Sequence, residues 1–323
     1  MMNYKLIIMP LFVFSIVFAI SSYSWLMIWM GMELNLISFI FILMRNKTIM
    51  NTESSMKYFM IQAIGSLIFL FSINMNMISY NEISWITALV PPLALILKAG
   101  MAPLHSWTPP VVSKFSPTSL FMFLTMQKLV PMVIIFSSWF SICTWIAFIN
   151  IVVGSIGGIV QSSFYKMLIF SSINNIGWMF MSLMQSNLMF LMFFAVYTVM
   201  NYLVVKFIKL MKIKWMIQVK LNSFPQKLLF FSLMMSLSGL PPFMGFIPKW
   251  MVVKKIFFFM PVLAFVSIFM SVFTLFFYLK STLSILIASS SSLKWSLSVH
   301  YNFNFFFLIV ANSCSPILFI FLT

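Results

Sequence analysis

Four ionisable residues lie inside long apolar runs of the sequence, away from the ends of those runs. Glu33 is central in WMGMELNLISF and Lys128 is central in FLTMQKLVPM, whereas Lys98 lies in ILKAGMAPLHSW and Lys249 in GLPPFMGFIPKW. A charge at mid-bilayer costs about 2.5–3.5 kcal/mol, so four cost on the order of 10 kcal/mol, comparable with a domain's whole stability. Residues kept at that cost face water or each other, and they mark ion or proton pathways.

These four residues could bind and release protons reversibly. Burial disfavours a charged lysine and a nearby carboxylate favours it, so moving the carboxylate switches the lysine between holding and releasing a proton. We expect Glu33 and Lys98 to form such a switch, and Lys128 and Lys249 to continue the line. The alternatives are structural. Lys98 and Lys249 could reach an interface, and Glu33 and Lys128 could form a buried pair kept for packing.

Polar residues in two other apolar runs could line water between these sites. Hydrogen bonding between helices is their alternative role. His105, one of two histidines in the chain, either exchanges protons with the aqueous phase or caps a helix. The candidates in the apolar runs are Gln62, Ser66, Asn74, Ser171, Asn174 and Asn175.

Helix breakers stand next to two of the lysines. Gly100 and Pro103 interrupt one apolar run, and Gly239, Pro241 and Pro242 interrupt another. Unpaired backbone groups at mid-membrane are tolerated only beside water or buried protein, and transporters place ion sites at such broken helices. The two breaks, GMAPL and GLPPF, therefore predict proton sites and suggest an internal repeat.

The elements that carry these residues must be membrane helices. Of the 323 residues, 63% are hydrophobic and only 7% are charged, so lipid must be the solvent for most of the chain. A spanning helix needs about 20 apolar residues, and we predict an all-α polytopic protein with one transmembrane domain over 1–323. The eleven predicted spans are 4–20, 23–44, 57–78, 85–104, 119–138, 143–161, 167–185, 188–208, 226–256, 257–281 and 303–322, with breaks near 100–103 and 239–242.

The charges between the runs predict the orientation of the bundle. Lysine and arginine gather on one side, and the loops near 21, 80, 140 and 186 have none. By the positive-inside rule the N-terminus faces the cytoplasm-equivalent side and the C-terminus faces the other. Lys254 and Lys255 are the contrary signal. The segment 206–215 is expected to be a basic inside loop, or else an interfacial helix that binds anionic lipid.

Several functions are excluded. The net charge of +16 comes from lysines between apolar runs, which is not the pattern of a nucleic-acid site, and Asp is absent. Cys143 and Cys314 are too few and too far apart for a disulfide framework or a cluster. GSIGG at 154–158 is expected to allow close helix packing rather than phosphate binding.

The motifs together resemble a known family. WMGMELNLISF (29–39), ESSMKYFMIQAIGS (53–66), LKAGMAPLHSW (97–107), MQKLVP (126–131), SSINNIGW (171–178) and GLPPFMGFIPKW (239–250) occur in the order typical of the chain 2 family of NADH:ubiquinone oxidoreductase, respiratory complex I, in its shortened, mitochondrially encoded animal form. The resemblance implies an antiporter-like fold with two inverted five-helix repeats, at 4–138 and 143–281, and a C-terminal helix at 303–322. It maps the family's functional glutamate onto Glu33 and its membrane lysines onto Lys98, Lys128 and Lys249.

The resemblance also implies the setting of the protein. The N-terminus would lie in the matrix and the C-terminus in the intermembrane space, across the mitochondrial inner membrane. NADH, FMN, iron–sulfur clusters and ubiquinone are expected in other subunits, with no cofactor or metal in this chain. Partners would be neighbouring antiporter-like subunits and lipids, including cardiolipin. One departure is Asn175, which stands where many relatives have a histidine, and a water is expected to replace the titrating group.

The sequence thus predicts a proton-translocating subunit that is driven by redox energy released elsewhere. A stand-alone sodium/proton antiporter is the alternative, although three Glu and no Asp argue against a sodium site. A third reading is an assembly element in which the buried charges serve only packing.

Overall fold

The computed structural model describes residues 3–45, 48–78, 84–221 and 224–287. These residues form α-helices joined by short turns, with one 3-10 helix, Met216–Leu221. The α-helices are α1 Asn3–Ser21, α2 Trp25–Leu43, α3 Ile49–Ile78, α4 Ser84–Ala99, α5 Thr108–Val112, α6 Pro117–Leu124, α7 Met126–Ser138, α8 Phe140–Ile159, α9 Phe164–Gln185, α10 Asn187–Met211, α11 Phe224–Ser238, α12 Phe246–Phe259 and α13 Pro261–Ile287. Glu82 and the predicted helix at 303–322 lie outside the described residues.

The helices have the length and composition of membrane spans. In the described part of the chain, seven helical segments are long and apolar enough to cross a membrane, and two shorter apolar helices, Ile7–Ser21 and Ala88–Ala99, accompany them. α11 and α12 have 15 and 14 residues, because the chain breaks between them. The all-α polytopic fold is confirmed, and the count of eleven spans stays a prediction.

Serine side chains define several helix starts. Ser24, Ser116 and Ser186 precede α2, α6 and α10, and the hydroxyl of each accepts a backbone N–H three residues later. This N-cap satisfies a donor that a helix start leaves without an intrahelical partner. The starts are therefore encoded locally, and the apolar runs that follow them fill the spans.

The chain divides into two compact units, Met1–Cys143 and Thr144–Thr323. In the first unit α1 packs on α2, α2 packs on α3, and α4 contacts both α3 and α7. Aromatic rings fill the space between these helices, with Tyr58 contacting Phe39, Phe115 and Phe123.

In the second unit α9 is the central helix. The most apolar 18-residue stretch of α9 is 94% buried, whereas that of α13 is 33% buried. α8 passes close to it at Gly154, where any Cβ would overlap the backbone of Asn174. The close packing predicted for GSIGG is confirmed there.

Two predicted boundaries were wrong. α3 begins at Ile49 and not at 57, so Glu53 lies in a helix. The predicted span 119–138 lies within one membrane-length segment, Pro117–Ser138, in which α6 and α7 meet at Thr125. α10 continues to Met211, so the first part of the expected basic loop at 206–215 is helical.

Candidate functional site

Lys98 lies at the end of α4, where the predicted break occurs. α4 ends at Ala99, and Gly100 follows with a φ of +65°. That left-handed conformation is open to glycine at little cost. A Cβ on Gly100 would also overlap the side chain of Thr108, the first residue of α5. The glycine therefore lets the chain turn back immediately after the lysine.

Glu33 and Lys98 meet, as the sequence predicted. Lys98 Nζ lies 3.8 Å from Glu33 Oε1, with side-chain exposures of 5% for the lysine and 28% for the glutamate. At that distance the ion pair is not a hydrogen bond. Neither of the two atoms has a hydrogen-bond partner, although both are buried. Such atoms in a buried site are normally satisfied by water.

Side-chain donors satisfy the carbonyls at the end of α4. Gln62 Nε2 of α3 donates to Lys98 O at 2.8 Å, and Trp107 Nε1 donates to Leu97 O at 3.2 Å. These carbonyls belong to the last turn of a helix, which leaves them without intrahelical partners. Backbone groups contribute as well, since Gly100 N donates to Leu97 O and Met101 N donates to Ile96 O, each at 3.1 Å. The predicted candidate Gln62 supplies the bond to Lys98 O.

A cavity of about 20 Å³ lies beside Lys98 in the first unit. That volume holds one water molecule when polar groups surround it. Its polar lining includes Lys98, Gln62, Asn35, Gln127 and Tyr58. The cavity therefore has room for one water beside Lys98.

Lys128 is buried in the first turn of α7, with an exposed fraction of 3%. Its ammonium lies 5.9 Å from the ring centroid of Phe123, the second-last residue of α6. A ring face attracts a cation electrostatically. Glu33, the partner of Lys128 in the structural alternative, lies 3.8 Å from Lys98 Nζ, and that alternative stays a prediction.

Lys249 lies in the first turn of α12 in the second unit, and its side chain reaches back to the end of α11. Gly239 has a φ of +84° and ends α11, and Lys249 Nζ donates to Ser238 O at 2.9 Å. The ammonium also lies 5.5 Å from the ring centroid of Trp178. Lys249 and Lys98 are both buried within the protein, with exposed fractions of 8% and 7%.

Asn175 shares a cavity with Lys249. This second cavity also has a volume of about 20 Å³, and Tyr197 and Ser236 contribute further polar side chains. The structure thus brings the predicted Asn175 and Lys249 to one place where a water fits.

The remaining predicted candidates have local contacts. Ser66 and Ser171 donate to carbonyls of their own helices, at Ala63 and Leu168. Asn174 is buried with Oδ1 unsatisfied. Asn74 is exposed, and Pro103 is exposed in the turn after α4. Pro241 and Pro242 lie in the break after α11.

His105 lies in the same turn as Pro103 and is half-buried. Its Nδ1 lies 3.2 Å from Pro103 O, and its carbonyl accepts the backbone N–H of Thr108 at 3.0 Å. Its backbone carbonyl therefore supports the start of α5, and both predicted roles of the side chain stay predictions.

Asn35 and Gln127 line the Lys98 cavity, and sequence reasoning did not select them. Each is a polar residue in an apolar run, the same signal that selected Gln62. Asn35 follows Glu33 by two positions and Gln127 precedes Lys128. Sequence reasoning selected the charged residues Glu33 and Lys128, and it did not select the amides beside them.

Comparisons with known proteins place these features in a family. Residues 22–274 match the family described as NADH:quinone oxidoreductase/Mrp antiporter, transmembrane. The chain is 34% identical to NADH-ubiquinone oxidoreductase chain 2 of Anopheles gambiae, over 92% of this chain and 90% of the relative. It is 32% identical to the protein of that name from Locusta migratoria, over 88% of this chain and 86% of the relative.

Solved structures agree on the fold. A chain of respiratory complex I from Thermus thermophilus with bound aureothin matches with a TM-score of 0.76 and 17% identity, covering 94% of this chain and 75% of that one. A chain of the Mrp complex from Dietzia sp. DQ12-45-1b matches with a TM-score of 0.72 and 16% identity, covering 85% of this chain and 59% of that one. The chain therefore belongs to the NADH:quinone oxidoreductase/Mrp antiporter family, with an antiporter-like fold, as its motifs predicted.

Proposed function

We propose that the chain translocates protons as an antiporter-like subunit in the membrane arm of respiratory NADH:ubiquinone oxidoreductase. The names of its relatives, at 32–34% identity over most of the chain, support this proposal. Redox energy would come from other subunits, which would hold NADH, FMN, iron–sulfur clusters and ubiquinone. This chain would supply the proton-binding groups.

The observation that carries the proposal is the Glu33–Lys98 pair at the end of a broken helix. Lys98 Nζ and Glu33 Oε1 are buried without hydrogen bonds, 3.8 Å apart, and Lys98 lines a cavity that fits a water. A pair kept only for stability would be expected to form close hydrogen bonds, because desolvation otherwise outweighs the attraction between the charges. A pair that is 3.8 Å apart without a hydrogen bond is better suited to releasing and binding a proton.

The geometry suggests how the first unit would work. While Glu33 is close, its carboxylate stabilises the protonated Lys98. When the carboxylate moves away, the buried ammonium loses its counter-charge, and releasing its proton to cavity water becomes favourable. Lys98 would bind a proton again when Glu33 returns. Gln62 would hold the end of α4 in place through this cycle.

In the second unit, Lys249 would hold a proton at the end of α11. When charged, its ammonium donates to Ser238 O and contacts the Trp178 ring face. A water in the cavity that Asn175 and Tyr197 line could accept the proton. Asn175 has no titratable group, so the water would carry the proton past it.

The proposed setting follows the family. We place the chain in the mitochondrial inner membrane, with its N-terminus in the matrix and its C-terminus in the intermembrane space. Its partners would be neighbouring membrane-arm subunits and anionic lipids such as cardiolipin. Lys206 and Lys209, near the end of α10, lie on the basic segment that would face the matrix-side headgroups.

Lys128→Met tests the proposal in the whole complex. Reconstituted into liposomes, the variant should assemble and oxidise NADH, but it should translocate fewer protons per NADH, because methionine fills the space without binding a proton. Lys209→Met is the matched control, since Lys209 is exposed on α10. Normal translocation by Lys128→Met would favour a role in assembly alone. Sodium flux in place of proton flux would favour the sodium/proton antiporter.

A further inference from the structure

The amide side chains of Asn35 and Gln127 join α2 to α7 through two hydrogen bonds. Asn35 Nδ2 donates to Gln127 Oε1 at 3.1 Å, and Gln127 Nε2 donates to Asn35 Oδ1 at 3.2 Å. Each amide is donor and acceptor toward the other, so the pair is satisfied without a charge. Asn35 is buried, with an exposed fraction of 5%.

Each member of the pair is close in sequence to a charged residue of the first unit. Asn35 lies two residues after Glu33 on α2, and Gln127 lies immediately before Lys128 on α7. Both amides also line the cavity beside Lys98. Each amide has a second N–H and a further lone pair that the reciprocal bonds do not use. These groups can hold the water in that cavity.

The backbone alone holds the Gln127 turn weakly. Thr125, which precedes α7, makes no side-chain cap for it, because its hydroxyl donates back to Phe121 O in α6 at 2.8 Å. Pro131 has no N–H, so it cannot donate to the carbonyl of Gln127 one turn earlier. Lys128 N reaches Thr125 O at 3.3 Å. The amide pair thus adds a restraint where the helix ladder is incomplete.

We propose that Asn35 and Gln127 are positioning residues for proton transfer. The pair fixes the first turn of α7, which carries Lys128, relative to the helix that carries Glu33. It also holds the water that Lys98 needs when it exchanges its proton. This inference rests on the proposed function, since it assigns the pair a role in the same proton path.

The test compares two double variants of the assembled complex in liposomes. Asn35→Leu with Gln127→Met removes both amides but keeps the side-chain volumes. Replacing both partners of a hydrogen bond by apolar groups of similar shape is nearly neutral for stability, so the complex should assemble. Asn35→Gln with Gln127→Asn exchanges the two amides and retains the pair. Ser38→Ala is the control on α2, because within the described part of the chain the Ser38 hydroxyl bonds to its own helix, donating to Asn35 O at 2.9 Å.

The expected result is a loss of coupling without a loss of electron transfer. The apolar double variant should oxidise NADH normally in the presence of a protonophore, but the protons moved per NADH should fall by roughly twofold or more, because the lost bonds destabilise the arrangement of the water and the α7 turn. The exchanged variant should retain most of the yield, and Ser38→Ala should match the unmodified complex.

Three results would overturn the inference. The first is a normal proton yield in the apolar double variant. The second is failure of that variant to assemble, which would make the pair a folding element. The third is an equal loss in Ser38→Ala. Lys128→Met measured in parallel separates this inference from the proposed function. If Lys128→Met also pumps normally, the proposed function fails, whereas a defect in Lys128→Met alone rejects only the role of the amide pair.

Discussion

Lys98 depends on a different property of each of its neighbours. Glu33 provides the opposing charge at 3.8 Å, and Gln62 satisfies the backbone carbonyl of the lysine. Gly65 on α3 lacks a side chain, and a Cβ there would lie 3.0 Å from Lys98 Cγ. The glycine therefore leaves space for the alkyl stem of the lysine against α3. The buried Lys98 is tolerated because its charge has a counter-charge, its backbone carbonyl has a donor, and its alkyl stem has space.

Gly100→Ala should destabilise the turn that follows α4. Alanine at a φ of +65° is strained by about 1–2 kcal/mol, and its Cβ would overlap the Thr108 side chain. We expect less assembled complex on native gels and faster thermal inactivation of NADH oxidation. Thr108→Ser in the same chain removes the overlapping methyl group and should restore part of the loss. If Gly100→Ala assembled normally, the turn would not depend on glycine.

The residue types indicated the charged partners correctly, whereas they did not reveal the contacts between amides. Glu33 and Lys98 were predictable because each is too costly to leave alone in an apolar run. Asn35 and Gln127 carry no charge, and their cost is modest when they are paired. Their partnership depends on which faces of α2 and α7 meet, and a single sequence does not specify that contact.

Among the helices, the two glycine breaks followed directly from the sequence and the third break did not. Gly100 and Gly239 both have positive φ and both end a helix. Thr125, between α6 and α7, has a φ of −111° and a ψ of −77°, and neither glycine nor proline marks that position. The start of α3 was missed for another reason. Its first turns are polar, and Thr48 caps them by accepting the N–H of Asn51 at 3.3 Å.

Lys249→Met tests the break between α11 and α12. The variant leaves Ser238 O without its donor and removes the proton-binding group, so we expect a lower proton yield per NADH. Lys254→Met is a close control on the same helix. Lys254 also lies over a tryptophan, 5.2 Å from the Trp250 ring centroid, but it is exposed. A lower yield in both variants would mean that loss of any lysine from α12 disturbs the protein.

In the protein as a whole, each compact unit has a similar device, a buried lysine beside a helix end. A helix ends at a glycine with positive φ, and a nearby buried lysine lines a cavity that fits a water. Lys98 precedes its glycine on α4, whereas Lys249 follows on α12 and reaches back to Ser238 O. The first unit adds a carboxylate, and the second adds a tryptophan ring and a carbonyl. The predicted inverted repeats at 4–138 and 143–281 would explain why the device occurs twice.

Glu53, which is exposed, and Glu33, which lies in an apolar run, have different partners and different burial. Glu53 pairs with Lys57 at 2.7 Å and with Lys114 at 2.6 Å, and its side chain is 44% exposed. Exposed pairs contribute about 0–1 kcal/mol and can be lost with little effect. Among the described residues, Glu33 has one ion-pair partner, Lys98, at 3.8 Å, and its Oε1 atom is buried. The two glutamates therefore form a matched comparison.

The most direct measurement is the number of protons translocated per NADH by the Glu33→Gln complex in liposomes, with Glu53→Gln as the control. Glutamine keeps the shape of Glu33 but removes its charge, so Lys98 loses the group that would switch it. We predict that Glu33→Gln assembles and oxidises NADH while its proton yield falls, and that Glu53→Gln keeps the normal yield. An unchanged proton yield in assembled Glu33→Gln would contradict the account.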